Sequence, residues 1–258
     1  MDLGLKGRTA LVTGASKGIG FAAAESLAQA GCNLHLASRT RADLEAAQAK
    51  LNKQYGVKVE IHAVDLSDGD AARALVERCK DVDILVNNAG AIPAGDIHAI
   101  TEDRWRDAWN LKVFGYQNMC RAMLARMRER GNGVIVNVIG SAGEAHTPAY
   151  IAGTAGNASI MAMTRALGAT SRSYGVRVVG INPGLIVTGR MTTLMRTKAE
   201  KELGDADRWE ELIDKTYPPG KPEHIGDMVA FLASERSANT TGTIITIDGG
   251  SSARGTSV

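Results

Sequence analysis

The stretch Thr9-Ala-Leu-Val-Thr-Gly-Ala-Ser-Lys-Gly-Ile-Gly20 decides the fold of this 258-residue chain. Its first five residues form an apolar run that predicts a buried strand. Its three glycines allow a sharp turn and a close approach of the backbone to a pyrophosphate, and the next helix presents free N–H groups. The spacing G-x-x-x-G-x-G differs from the commonest dinucleotide fingerprint, G-x-G-x-x-G. Because the glycines follow the first strand, they favour a dinucleotide site over a tight turn without a ligand.

Downstream of this stretch, short apolar runs alternate with longer helical patterns. Several of the runs are almost continuously apolar, which is typical of strands covered on both faces. Such alternation predicts an α/β fold with a doubly wound parallel sheet between two layers of helices. The predicted strands cover residues 9–13, 33–38, 57–64, 83–87, 133–139, 176–181 and 243–247. The predicted helices cover residues 18–30, 41–54, 68–79, 102–130, 150–173 and 222–234.

The composition excludes several classes of protein. A net charge of +2 gives no support for nucleic acid as a partner, and no apolar stretch approaches the roughly 20 residues of a membrane helix. Cys32, Cys79 and Cys120 are scattered, so they predict neither a disulfide framework nor a metal cluster. The N-terminus lacks a signal-peptide pattern. We therefore expect a soluble cytoplasmic protein that has no metal, membrane or nucleic-acid ligand.

One segment departs from the alternation. Residues 189–221 are charged and end in Pro218-Pro219-Gly220 where a short connection would suffice. Long insertions in compact domains are often lids or binding loops. The sequence leaves two interpretations open, a lid-like insertion and a solvated surface helix.

The end of the second predicted strand indicates which nicotinamide cofactor fits. An acid at this point binds the ribose 2′-hydroxyl of NAD, whereas a cation accommodates the 2′-phosphate of NADP. Arg39 stands there, and the first acid, Asp43, already lies inside the next predicted helix. Lys17 in the glycine loop offers a second cation. We therefore expect NADP(H) to be preferred, with NAD(H) as the alternative.

Taken together, several motifs resemble those of the short-chain dehydrogenase/reductases. Each motif follows the strand or lies in the helix where that family carries it, and the resemblance extends from about residue 5 to residue 250. Besides the glycine loop, the matching motifs are Asp65-Leu66, Asn87-Asn88-Ala89-Gly90, Asn110-Leu111, Pro183-Gly184-Leu-Ile186-Val-Thr188, Thr241-Gly242 and Asp248-Gly249-Gly250.

The resemblance implies a single Rossmann-type domain over residues 1–258, with strand order 3-2-1-4-5-6-7 and usually a homotetramer. It also implies hydride transfer between a nicotinamide cofactor, which Arg39 indicates to be NADP(H), and a small carbonyl or alcohol substrate. The cofactor residues implied by the motifs and by the position of Arg39 are Gly14, Ser16, Lys17, Gly18, Ile19, Gly20, Arg39, Asp65, Leu66, Asn87, Ala89, Gly90, Thr154, Pro183, Gly184, Ile186 and Thr188.

The catalytic residues that the resemblance implies are only partly present. Tyr150 occupies the position of the general acid or base, and Asn110 that of the asparagine that supports a water relay. The family's lysine four residues after the tyrosine is replaced by Thr154, which carries no charge to lower the tyrosine pKa. The slot of the catalytic serine holds Gly140, and Ser141 follows one residue later.

Three residues are candidates to replace the missing cation. His146 precedes Tyr150 by four residues, Asn157 follows it by seven, and Arg190 opens the charged insertion. We expect Ser141 or His146 to assist Tyr150 in a ketone or aldehyde reductase. The alternative is a non-catalytic dinucleotide-binding protein that kept the cofactor site and lost the chemistry.

Overall fold

The computed structural model describes residues 2–253, and within this range seven parallel strands form one sheet of order β3-β2-β1-β4-β5-β6-β7. The strands are β1 (Thr9–Thr13), β2 (Asn33–Ser38), β3 (Val59–Ala63), β4 (Ile84–Asn87), β5 (Gly133–Val138), β6 (Val176–Pro183) and β7 (Ile244–Ile247). The helices are α1 (Gly18–Gln29), α2 (Arg41–Tyr55), α3 (Gly69–Arg78), α4 (Glu102–Trp109), α5 (Gly115–Arg130), α6 (Ala142–Ala145), α7 (Ile151–Ser171), α8 (Gly189–Leu203) and α9 (Pro222–Ala233). The order of the strands confirms the predicted doubly wound fold.

Helices cover both faces of the sheet, as the apolar strands predict. On one face α1, α2 and α9 pack through residues such as Leu27, Leu44 and Val229. On the other face α3 and α5 pack through residues such as Leu75 and Met123. All residues of β1, β4, β5 and β6 are buried. In residues 2–253 we find no helix that is both long and apolar enough to span a bilayer.

The predicted boundaries agree with the observed ones to within two residues, with one internal difference. The helix predicted over residues 102–130 contains a π-helical turn at Asn110–Phe114 between α4 and α5. Such turns are rare and occur frequently at functional sites. The chain runs outward from β1 to β3 and then returns to β4 on the other side of β1. Ligands of open α/β sheets bind at this point, beyond the carboxyl ends of the strands.

The charged segment 189–221 forms α8 and a 3₁₀ helix at Ala206–Leu212, which pack against each other. The segment then returns to the carboxyl end of the sheet. There Val187 donates its N–H to the Gly220 carbonyl (2.9 Å), and Gly220 donates to the Leu185 carbonyl (2.8 Å). The insertion thus stands beside the end of the sheet where a ligand is expected.

Candidate active site

A cleft of about 950 Å³ lies at the carboxyl ends of the strands. It is bordered by the glycine loop, the segments that follow β4, β5 and β6, and the start of α8. Among the residues lining it are Gly14, Ser16, Lys17, Gly18, Ile19, Arg39, Leu66, Ala89, Gly90, Lys112, Gly140, Ser141, Tyr150, Asn157, Pro183, Gly184, Thr188 and Arg190. Tyr150 and the glycine loop therefore line the same cleft.

The glycine loop is shaped for close approach of a ligand. Gly14 and Gly18 have φ angles of +64° and +60°, a region that favours glycine. A Cβ atom at Gly14 would lie 2.8 Å from the Asn88 amide nitrogen, which donates to the carbonyls of Thr13 and Gly14 (3.1 and 3.3 Å). The Lys17 side chain does not cap α1, so the first N–H groups of this helix stay free for a phosphate. These features fit a dinucleotide pyrophosphate.

Arg39 lines both the cleft and a smaller cavity of about 460 Å³. Asp65 shares that cavity, where hydrogen bonds from Ser67 lower the pKa of its carboxyl and Arg39 lowers it further. Lys17 is exposed and its Nζ lies 3.5 Å from Asp43, the first acid of α2. Both cations line the cleft, Arg39 directly after β2 and Lys17 in the glycine loop.

Tyr150 is held by its backbone and by the space around its ring. The Gly95 N–H donates to the Ala149 carbonyl (2.8 Å), and the Ile151 N–H donates to the Gly95 carbonyl (3.2 Å). A Cβ atom at Gly153 would lie 1.9 Å from the Tyr150 Cε1 atom, so only glycine leaves room for the ring. These contacts fix the backbone beside Tyr150 and the position of its ring, and therefore the position of its hydroxyl.

The cation that acts on Tyr150 is Arg190. Burial raises the pKa of the Tyr150 hydroxyl, and Arg190 opposes that rise through its charge and a hydrogen bond. The guanidinium is anchored because Nη1 donates to the Gly90 carbonyl (2.9 Å) and Nη2 to the Ile92 carbonyl (2.6 Å). Thr154, at the family's lysine position, donates its hydroxyl to the Thr147 carbonyl (3.3 Å).

Gly140 and Asn157 are complementary in shape. Gly140 has a φ angle of +145°, and a Cβ atom there would lie 2.9 Å from the Asn157 amide nitrogen. Asn157 is 4% exposed and lines the cleft. Its amide therefore fills the space beside the slot where the family carries serine. Ser141 also lines the cleft, and its N–H donates to the Pro183 carbonyl (3.0 Å).

The remaining predicted site residues lie elsewhere. Asn110 opens the π turn and lines the smaller cavity with Asp65. His146 is exposed and ends α6 with a φ angle of +48°. Asn87 is buried and donates to Asn137 Oδ1 (2.9 Å), which joins β4 to β5. Among the described residues, Gly20, Asn87, Asn110, Asp65, His146, Thr154 and Ile186 fall outside the lining of the main cleft.

Lys112 is a buried cation that sequence reasoning missed. Its Nζ donates to the Tyr116 hydroxyl (2.7 Å) and to the Val138 carbonyl (2.8 Å). Its stem passes under Gly90, where a Cβ atom would lie 2.4 Å from the lysine Cδ. Burial, with a smaller contribution from the charge of Arg190, lowers the pKa of Lys112 to about 7. The available signal was helical spacing, since residues four before and four after Lys112 are the buried Ala108 and Tyr116.

This pKa makes the stability of the protein depend on pH. The unfolded chain keeps Lys112 protonated up to a pH of about 10.4, so it binds more protons than the folded chain above about pH 7, and stability rises with pH in that window. Between about pH 7.5 and 9, we expect the free energy of unfolding of the wild type to rise relative to that of Lys112→Met by about 1.4 kcal/mol per pH unit. Urea unfolding of both proteins at several pH values measures this difference.

Lys50→Met is the matched control, because Lys50 is exposed and pairs with Glu25 at the surface (3.3 Å). That variant should follow the wild type in parallel across the same pH range. A constant offset between wild type and Lys112→Met would contradict a lowered lysine pKa.

Comparison with known proteins agrees with the geometry of the cleft. Residues 8–199 match the family model described as short chain dehydrogenase. The chain is 32% identical over 253 residues to a 3-oxoacyl-(acyl-carrier-protein) reductase of Chlamydia trachomatis, covering 95% of this chain and 98% of that protein. It is also similar to the L-sorbose reductase of Gluconobacter frateurii complexed with NADPH and L-sorbose, with TM-score 0.90, 29% identity, and 96% and 98% of the chains covered. A further similar structure is an NAD⁺-bound xylitol dehydrogenase, with TM-score 0.88, 26% identity, and 95% and 99% covered.

Proposed function

Because the chain belongs to the short-chain dehydrogenase/reductase family, we propose that it is an NADP(H)-dependent reductase of ketones or aldehydes. The family makes it an oxidoreductase that binds a nicotinamide dinucleotide and acts on carbonyl or alcohol groups. One observation carries the more specific proposal. The Tyr150 side chain, with Arg190 against it, faces the same cleft as the glycine loop and Arg39.

The cleft residues have distinct roles in the proposed reaction. When bound, NADPH supplies the hydride that the carbonyl carbon accepts. Tyr150 donates its phenolic proton to the carbonyl oxygen, and Arg190 stabilises the phenolate that remains. The Asn157 amide polarises the carbonyl from the space beside Gly140, with Ser141 as its neighbour. Asn110 supports the supply of protons from the adjoining cavity.

Reduction is the favoured direction, because it needs the neutral phenol and oxidation needs the phenolate. Burial raises the pKa of Tyr150, so the phenol predominates at neutral pH. The direct test is NADPH consumption with a panel of ketones, aldehydes and quinones. Turnover of at least one carbonyl compound is expected. Tight NADPH binding with no turnover of any of them would favour the non-catalytic alternative.

Arg39 is expected to determine the preference between the two cofactors. Arg39→Ala should weaken NADPH binding by about 1.5–3 kcal/mol, because a charge-assisted hydrogen bond to the 2′-phosphate is lost, and should leave NADH binding nearly unchanged. Calorimetric titration with each cofactor measures the difference. The neighbouring Arg41, which lies 3.9 Å from Glu45, supplies the control variant Arg41→Ala. Equal affinities of the wild type for NADPH and NADH would contradict the preference.

The insertion 189–221 is the lid of the proposed site. It contributes Arg190, Thr193 and Leu194 to the cleft lining, and Leu194 remains 44% exposed. An exposed leucine at the mouth of a cleft becomes buried if α8 closes over an apolar part of the substrate. Closure would also exclude water from the Tyr150 hydroxyl.

A homotetramer with two-fold axes is the proposed assembly, through the helix pair at residues 102–130 and 150–173 and through β7. Phe114 at the end of the π turn is 47% exposed, and β7 is an edge strand with an unpaired side. Both features are typical of surfaces that a second copy covers. Light scattering at micromolar concentration should give about four times the chain mass. Closed assemblies with two-fold axes are common among soluble oligomers. A monomer at that concentration would contradict the assembly.

A further inference from the structure

A cluster of metal-binding side chains lies outside the cleft, at the β2–β3 edge of the sheet. We propose that His35, His62 and Cys79, together with Glu60, bind one Zn²⁺ ion. The ligand atoms of the two histidines and the cysteine all lie within 4.8 Å of one another. This proposal is independent of the proposed reductase function, because none of these residues lines the cleft.

The parallel register brings the cluster together. His35 on β2 pairs with Glu60 on β3, and Ala37 pairs with His62. Side chains alternate between the faces of a strand, so His35, Glu60 and His62 project from one face. On that face α3 packs, and Cys79 is the residue that ends it. Three separate elements therefore supply the ligands, and β3 is the edge strand.

The distances are close to those of a tetrahedral zinc site. His35 Nδ1 lies 2.9 Å from His62 Nε2, His62 Nε2 lies 3.7 Å from Cys79 Sγ, and His35 Nδ1 lies 3.7 Å from the Glu60 Oε2 atom. Zn–N and Zn–S bonds of about 2.0 and 2.3 Å at tetrahedral angles require about 3.3 Å between two nitrogens and about 3.6 Å between nitrogen and sulfur. The His62–Cys79 spacing already matches this geometry, and the two nitrogens need about 0.4 Å more separation. The ligand atoms of His35 and Cys79, which lie within 4.8 Å of each other, close to the same spacing when the ion binds.

Neighbouring charged side chains occupy one polar atom of His35 and one of Glu60. The other nitrogen of His35, Nε2, lies 3.2 Å from the Asp81 carboxylate, which favours the tautomer with the ring proton on Nε2 and the Nδ1 lone pair toward His62. A carboxylate behind a histidine ligand is common at zinc sites. Lys58 Nζ holds Oε1 of Glu60 at 2.6 Å, which leaves Oε2 for the metal.

Binding of the ion would change the protonation of His62 and Cys79. Without an ion, the tautomer of His35 that Asp81 favours makes His62 Nε2 the donor and His35 Nδ1 the acceptor of the hydrogen bond between them. On binding, His62 carries that proton on Nδ1 instead, and both histidines stay neutral. Cys79 releases its thiol proton to water and binds as the thiolate, which is the form that ligates metals. One proton is therefore released for each ion bound.

The donor set selects the type of metal. Two imidazoles, one thiolate and one carboxylate suit Zn²⁺, whereas Mg²⁺ and Ca²⁺ prefer all-oxygen sites. His35 and Cys79 are buried, but His62 and Glu60 are partly exposed and give the ion a path from solvent. A bound ion would join the edge strand β3 to β2 and α3, so it would act as a structural clip.

Cobalt titration tests the site, because Co²⁺ takes the same tetrahedral geometry and its bands report the ligands. Tag-free protein should bind one Co²⁺ per chain, with visible d–d bands and a near-ultraviolet band from thiolate-to-cobalt charge transfer. Added Zn²⁺ should abolish both. Cys79→Ser should lose the charge-transfer band. Cys32→Ser should keep it, since Cys32 is equally buried but donates to the Leu5 carbonyl (3.4 Å).

A second variant covers the case in which Cys79→Ser does not fold. His62 is partly exposed, so His62→Asn should fold and should bind Co²⁺ at least tenfold more weakly. At one Zn²⁺ concentration, the melting temperature of the wild type should rise more than that of His62→Asn. A wild type without a charge-transfer band at millimolar Co²⁺, or a band that persists in Cys79→Ser, would overturn the proposal in favour of a hydrogen-bonded cluster without an ion.

Discussion

Replacement of Tyr150 by phenylalanine is expected to lower the rate of carbonyl reduction by at least about 100-fold, the usual lower bound for a positioned general acid. The variant removes only the hydroxyl oxygen, and the ring keeps the space that Gly153 leaves for it. NADPH affinity and thermal stability should therefore change little. The measurement is the single-turnover rate of NADPH oxidation with a carbonyl compound that the wild type reduces.

Tyr55→Phe is the matched control, because the Tyr55 hydroxyl accepts from Gln54 near the surface (2.9 Å) at the end of α2. Its reduction rate should equal that of the wild type. If Tyr150→Phe turns over as fast as the wild type, Tyr150 is not the acid. His146 is then the next candidate.

The fold could be predicted almost completely from the sequence, because the signals are local. The strand and glycine loop of residues 9–20 fix the start of a doubly wound sheet, and each later strand is a distinct apolar run. The π turn at Asn110–Phe114 could not be predicted. The apolar pattern continues through it, and one extra residue in a helical turn leaves no mark in composition.

Residues of the candidate active site could be predicted from the sequence only where they belong to a local sequence motif. Tyr150 and the glycine loop fall into this class. Thr154, at the family's lysine position, follows Tyr150 by four residues, and its N–H donates to the Tyr150 carbonyl (2.9 Å). Its hydroxyl donates to the Thr147 carbonyl (3.3 Å), a contact that the spacing alone does not indicate.

The other site residues depend on contacts between distant segments. Arg190 interacts with Tyr150 and with the Gly90 carbonyl, which lie 40 and 100 positions before it in the chain. The Asn157 amide has room in the cleft because Gly140 has no side chain. The histidine–cysteine cluster needs the register of β2 and β3, so scattered cysteines alone gave no hint of it. Such pairings follow from packing, which a single sequence does not specify.

Arg190 is expected to control the pH dependence of the reverse reaction, alcohol oxidation. Burial raises the pKa of Tyr150, and Arg190 lowers it. In Arg190→Gln the pKa should rise further, as for other groups that lose an adjacent opposite charge. Oxidation needs the phenolate, so at neutral pH it should fall by at least about tenfold. Reduction needs the phenol and should fall far less, since only stabilisation of the departing charge is lost.

The pH profiles of oxidation and reduction separate this role from a structural one. Arg190 also donates to the Gly90 and Ile92 carbonyls, so Arg190→Gln could disturb the cleft without acting on Tyr150. A structural disturbance lowers both directions by the same factor at every pH. Loss of the cation instead moves the alkaline rise of oxidation to higher pH, and Arg190→Lys, which keeps a positive charge, should restore most of the wild-type profile. If the oxidation rate of Arg190→Gln rises at the same pH as that of the wild type, Arg190 does not act on the tyrosine.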